Sequence, residues 1–268
     1  NHSMVRRKYI DLDVVSEDLF SHNLLLQPDL VVNSHSLKKD WISHLAIIPY
    51  QIYNGAKSIY VVSKRADCTL RAYYTSSDYR ADFTFTSTLL INLLEVITVF
   101  QHLGVVHTDI YDKNILLFFE GVDCIKMYLS DFGDVRLCER ILHPHPLQKY
   151  FSQLPPEYYH TRGSVPNTFR SSFDLWSIAI MILRMHCKDR CLFDSFMKNI
   201  IASFNKHCPS EYIGLRKTYL YFINSLIDSE DILLPYKSIL IAMCELDHNA
   251  RPAQVIDIYA QVLALYLA

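Results

Sequence analysis

Helical periodicity fills one end of this chain and strand signals the other, which leaves few ways for it to fold. From residue 173 onward, apolar positions recur at helical spacing in five stretches: 175–185, 192–204, 215–227, 236–244 and 252–267. Upstream, runs 45–52 and 58–63 flank Asn54-Gly55, a turn signal that predicts a β-hairpin. Residues 69–74 read as a short helix, 87–103 as a long helix closed by Gly104, and 127–132 as a strand. Pro144, Pro146, Pro155, Pro156 and Pro166 punctuate 133–169, which is expected to be a long loop. The class is therefore α+β, with a small, partly β N-terminal part and a large helical C-terminal part.

Half of the 268 residues are hydrophobic and the formal net charge is -2. That much apolar surface excludes general disorder. A charge so near zero gives no basic field for nonspecific binding to nucleic acid or a membrane surface. No uninterrupted apolar run reaches the roughly 18 residues of a spanning helix, so no membrane span is expected. The nearest, 89–106, is broken by Asn92, Glu95, Gln101 and His102. Seven cysteines without a C-x-x-C pair, behind an N-terminus unlike a secretory signal, point to free thiols in a reducing, intracellular compartment. His186, Cys187, Cys191, His207 and Cys208 cluster, but their spacing fits no common zinc module, and buried structural thiols are expected there.

Two loops carry the chemistry. In His107-Thr108-Asp109-Ile110-Tyr111-Asp112-Lys113-Asn114, a carboxylate precedes a carboxamide by five positions, between a helix and an apolar run. Such a pair can orient a hydroxyl nucleophile and hold a metal ion. Asp131 follows 17 residues after Asn114, in Ser130-Asp131-Phe132-Gly133. A carboxylate at a strand end beside glycine suits Mg²⁺ on nucleotide phosphates. Each motif taken alone is also what a loop aspartate capping backbone amides looks like.

Together, and with three further landmarks in order, they resemble the eukaryotic-type protein kinase superfamily. Pro155-Pro156-Glu157 stands where that family has A-P-E. Ser172-Phe173-Asp174-Leu175-Trp176-Ser177 is similar to its S-x-D-x-W-S helix, whose aspartate braces the catalytic loop. Asn249-Ala250-Arg251-Pro252 is similar to its late R-P, whose arginine pairs with the A-P-E glutamate. Residues 58–66 resemble the fifth strand and hinge, with Ser63 near the gatekeeper position. The resemblance implies a two-lobed fold, a reduced β-containing N-lobe over 1–63 and a helical C-lobe over 64–268, with the hinge at about 63–67.

The departures concentrate upstream. Thr108 replaces the arginine that normally binds a phosphorylated activation loop, and Tyr111 replaces a lysine that steadies the transferring phosphate. No G-x-G-x-x-G exists, since the first glycine is Gly55. About 40 residues remain for three strands and a regulatory helix. Residues 5–10 can be laid on the third strand, which makes Lys8 the phosphate-binding lysine, with Glu17 or Asp29 as its helix partner. The plain alternative for Lys8 is a solvated charge in the Arg6-Arg7-Lys8 cluster.

The resemblance implies ATP and Mg²⁺ as cofactors and a protein as substrate or binding partner. Asp109 and Lys113 become the catalytic candidates, Asn114 and Asp131 the metal ligands, and Lys8, Ser63, Lys64 and Ala66 the nucleotide contacts. The activity implied is transfer of the ATP γ-phosphate to Ser or Thr. The alternative is a pseudokinase acting as a protein-binding scaffold or inhibitor. A kinase stripped of its lid and regulatory arginine is of a kind expected from a pathogen acting in a host cell, in cytoplasm or nucleus.

Overall fold

A computed structural model of the protein describes residues 4–9, 51–55, 58–76, 82–120, 125–132, 135–138, 153–159, 170–204 and 209–268. In chain order the strands are β1 (Met4–Tyr9), β2 (Gln51–Gly55), β3 (Ser58–Lys64), β4 (Cys68–Thr69), β5 (Val105–Val106), β6 (Ile115–Phe119), β7 (Ile125–Leu129) and β8 (Arg136–Leu137). The helices are α1 (Leu70–Thr75), α2 (Phe83–His102), α3 (Ser172–His186), α4 (Arg190–Phe204), α5 (Pro209–Asp228), α6 (Lys237–Met243) and α7 (Val255–Leu267). Two 3₁₀ segments, Pro156–Tyr159 and Asp231–Tyr236, complete the described elements. The chain divides into two compact units, Asn1–Tyr79 with Asp112–Val135, and Arg80–Tyr111 with Arg136–Ala268.

In the first unit, β1, β3 and β2 form an antiparallel sheet in that order, with β3 central. The expected hairpin is present, with one correction. Strand β2 runs through Asn54 and Gly55, and Gly55 is already the register partner of Ser58. The N-G signal therefore ends a strand and does not form the turn itself. A second sheet, β4-β6-β7, carries α1 at its edge. Thr69, expected as the first residue of the short helix, instead caps α1, its hydroxyl accepting from the Ala72 N–H at 3.2 Å.

In the second unit, every residue of α3 except Arg184 is buried. Trp176 is fully buried on it and stacks with Tyr219 of α5. Helix α2 begins four residues earlier than periodicity alone indicates, because the Asp82 carboxylate accepts from the Phe85 N–H at 2.6 Å and caps it. Its end is marked by Gly104, whose φ of +65° only glycine adopts without strain. Helix α2 also corrects the expectation about apolar length. It is long and apolar enough to cross a membrane by length and composition, yet two-thirds of that stretch is buried in the protein. It packs on α7 and is tied to the start of that helix through Gln101, which donates to Ala253 O at 2.7 Å and accepts from Val255 N at 2.9 Å.

The thiol expectation also needs correction. Cys187, the C-cap of α3, is half-buried, and Cys191, in the first turn of α4, is exposed. His186 is buried and meets the Thr86 hydroxyl at 3.0 Å. Among the described residues no group of three or more His, Cys, Asp or Glu is placed to hold a metal, while His207 and Cys208 lie outside them.

Candidate active site

The loop that carries Asp109 begins in the second unit, at the end of β5. Asp174, in the first turn of α3, is buried and accepts from the His107 N–H at 2.8 Å and the Thr108 N–H at 3.0 Å. This is the brace anticipated from the S-x-D-x-W-S match. Burial pushes the Asp174 carboxyl up to about 7, against the pull of those two amide bonds. Thr108 holds a φ of 66°, a left-handed conformation that costs a β-branched residue about 1–3 kcal/mol. The bond from its own N–H to Asp174 helps to hold it there. The His107 ring is buried, stacks on Phe100 at 6.1 Å, and accepts the Asp109 N–H on Nδ1 at 3.3 Å. Accepting on Nδ1 requires the neutral imidazole protonated on Nε2. Asp109 itself is half-buried, one residue beyond this strained and tethered point.

The same unit contains the scaffold landmarks. Arg251 and Glu157 form a buried, two-pronged ion pair at 2.6 and 2.9 Å, and the guanidinium lies 4.9 Å from the centre of the Trp176 ring. Ser177 donates to Gln153 O at 3.0 Å, fixing the chain just before Pro155 and Pro156. Val106 and Phe173 form a small core on which Cys138, Leu154 and Tyr158 pack.

The first unit holds the remainder of the loop and the second carboxylate. Register places Ile115 of β6 opposite Leu129 of β7, so Asn114 and Ser130 face each other at the strand ends. The Asn114 carbonyl accepts both the N–H and the hydroxyl of Ser130, each at 2.9 Å. Asn114 is buried, and Asp131 follows Ser130 with a φ of 66°. A sheet thus brings the two expected metal ligands to adjacent positions across 17 residues of sequence. Both donors are oxygens, one carboxamide and one carboxylate, a set that suits a hard cation such as Mg²⁺. Lys113 lies on the exposed side of the loop.

Of the expected nucleotide contacts, Ser63 and Lys64 are the last residues of β3, opposite Val5 and Met4 of β1. Ala66 follows in the half-buried connector to β4. Lys8 lies on β1 opposite Tyr60, so it does sit on a strand beside the hinge-leading strand. Its candidate partners Glu17 and Asp29 lie outside the described residues, as does Gly133.

Sequence reading passed over Asp112. It is buried, bonded to Arg71 and to the hydroxyl of Tyr74, both on α1. A third carboxylate in the 107–114 loop was visible, but partners 41 and 38 residues upstream were not.

The family model described as Protein kinase domain matches residues 34–263, most of the chain, and leaves strand β1 with Lys8 outside the match. No curated protein sequence matches the chain.

Proposed function

The chain belongs to the protein kinase family, and from that premise we propose that it is a divergent, minimal protein kinase that transfers the γ-phosphate of ATP to Ser or Thr of a protein. The observation that carries the proposal is the pairing of Asn114 with Ser130, which sets the Asn114 carboxamide and the Asp131 carboxylate at adjacent strand ends. In this reading residues 1–63 form the reduced N-lobe and 64–268 the C-lobe, with the hinge at 63–67.

Asp109 orients the substrate hydroxyl and takes its proton, and the neutral His107 and Asp174 fix the backbone that presents it. Asn114 and Asp131 hold Mg²⁺, which when bound neutralises charge on the ATP phosphates. Backbone groups of Ser63, Lys64 and Ala66 take the adenine edge, a task any residue type can perform. Lys113 supplies the loop's cation in place of the lysine replaced by Tyr111, and Lys8 contacts the phosphates from β1. In this reading phosphate binding depends on Mg²⁺. Work in a reducing compartment, such as host cytoplasm or nucleus, is part of the same proposal.

A pseudokinase that scaffolds a partner is the second reading, favoured by Tyr111 in the catalytic loop and by a Lys8 strand outside the family match. Phosphosite mapping by mass spectrometry separates the two. Wild type incubated with Mg²⁺, ATP and a host-cell extract is expected to add phosphate to itself or to other proteins on Ser and Thr, and Asp131→Asn is expected to add none. Identical phosphosite patterns in the two samples sink the enzyme reading.

A further inference from the structure

The buried cluster around Asp112 has no part in the roles assigned above. Its side chain is 1% exposed, and its Oδ1 lies 2.9 Å from Arg71 Nε and 2.7 Å from Arg71 Nη2. The Tyr74 hydroxyl donates to Oδ2, and the Arg71 N–H donates to the Asp112 carbonyl at 3.0 Å. One short helix therefore grips this loop residue by main chain and side chain together. Two residues later the Asn114 carbonyl is held by Ser130, next to Asp131. Residues 112–114 are thus pinned at one end to α1 and at the other to the end of β7. Little freedom is left to the backbone from which the Asn114 side chain projects. An ion pair this buried gains little net stability, because the desolvation of both charges offsets their attraction. Its structural effect is to fix a conformation.

We propose that Asp112, with Arg71 and Tyr74, is a positioning residue for the metal: the cluster sets the direction in which Asn114 presents its carboxamide oxygen. The inference rests on the reading of Asn114 and Asp131 as magnesium ligands. Groups that orient metal ligands are worth roughly 10–100-fold in metal affinity when removed. A contact that only stabilises the fold leaves that affinity unchanged.

The test titrates the 268-residue chain with MgCl₂ at fixed ATP and reads the nucleotide-dependent rise in melting temperature. Wild type is compared with Tyr74→Phe, Asp112→Asn, Arg71→Ala and the Arg71→Ala/Asp112→Asn double variant. The half-maximal Mg²⁺ concentration is expected to rise about tenfold in Asp112→Asn and Arg71→Ala, and about two- to threefold in Tyr74→Phe. The double variant should be no worse than the worse single, because both remove one shared contact. Saturating Mg²⁺ should restore the ATP response in every variant. Tyr74→Phe removes one hydroxyl and keeps the ring, so it decides the matter if Asp112→Asn does not fold. A wild type that responds while the variants share its Mg²⁺ requirement, whatever their melting temperatures without nucleotide, overturns this inference alone. A wild type that shows no Mg²⁺-dependent response overturns it together with the reading on which it rests.

Discussion

Arg251 reaches Glu157 across 94 residues of sequence and clasps both of its carboxylate oxygens. The same guanidinium donates from Nε to Glu245 O at 2.7 Å and from Nη1 to Ser172 O at 3.3 Å. The 3₁₀ segment Pro156–Tyr159, the start of α3 and the α6–α7 connection are thereby joined at one buried cation. Removing one partner strands the other charge. Glu157→Gln or Arg251→Met is expected to cost about 3–5 kcal/mol by urea denaturation. A loss below about 1 kcal/mol would show that solvent reaches the remaining charge.

Asp174 and Thr108 give a second prediction. Asparagine at 174 offers one acceptor oxygen where two amide donors converge, and its own NH₂ would face one of them. Amide hydrogen exchange at His107 and Thr108 should quicken by about tenfold or more in Asp174→Asn. The strained Thr108 conformation should relax with it, lowering phosphoryl transfer more than ATP binding. Unchanged exchange at both amides would contradict the brace.

Acid lability should have an identifiable source. Burial holds His186 neutral, lowering its imidazole from 6.5 to about 4. Its contribution to stability is present above pH 6.5 and is lost as pH falls through 4. Asp174, raised from 3.8 to about 7, has the opposite sign: its contribution is present below 3.8 and is lost as pH rises through 7. Raw stability profiles therefore mix the two, and only a difference isolates the histidine. Between pH 6.5 and 4, wild type should lose on the order of 3 kcal/mol relative to His186→Gln. Parallel profiles for the two proteins would mean that His186 reaches solvent.

Local signals in the sequence were legible where short-range chemistry decides the structure. The short helix after residue 69, Gly104 as a helix end and the helices after residue 173 all rest on neighbours within one or two turns. Of the candidate site, the placement was legible: spaced motifs anticipated that Asn114 and Asp131 come together and that Asp174 holds the His107–Thr108 backbone. Long-range charge pairing left no trace: nothing near Asp112 announces Arg71 or Tyr74. Exposure was also misjudged, because an isolated cysteine such as Cys191 carries no periodicity to say which way it faces. Asn54-Gly55 failed as a turn for a related reason. The dipeptide favours a turn, but cross-strand pairing of Gly55 with Ser58 prevails.

Activation should not require phosphorylation of the 134–154 segment. Thr108 supplies no cation to receive a phosphate, and Tyr150 and Ser152 are the segment's hydroxyl-bearing residues. The Tyr150→Phe/Ser152→Ala double variant is expected to keep phosphoryl transfer within about threefold of wild type in a steady-state assay. Loss of activity in that variant, restored by Ser152→Glu, would reverse the prediction.

Calorimetric titration of ATP in millimolar Mg²⁺, on wild type, Asp109→Asn and Asp131→Asn, bears most directly on the enzyme reading. Wild type should bind ATP only when Mg²⁺ is present. Asp109→Asn should bind within about twofold of wild type while losing phosphoryl transfer, because that side chain addresses the nucleophile. Asp131→Asn should lose both Mg²⁺-dependent binding and transfer. Absence of nucleotide binding by wild type at millimolar Mg²⁺ would contradict the account and leave a kinase fold that serves as a scaffold.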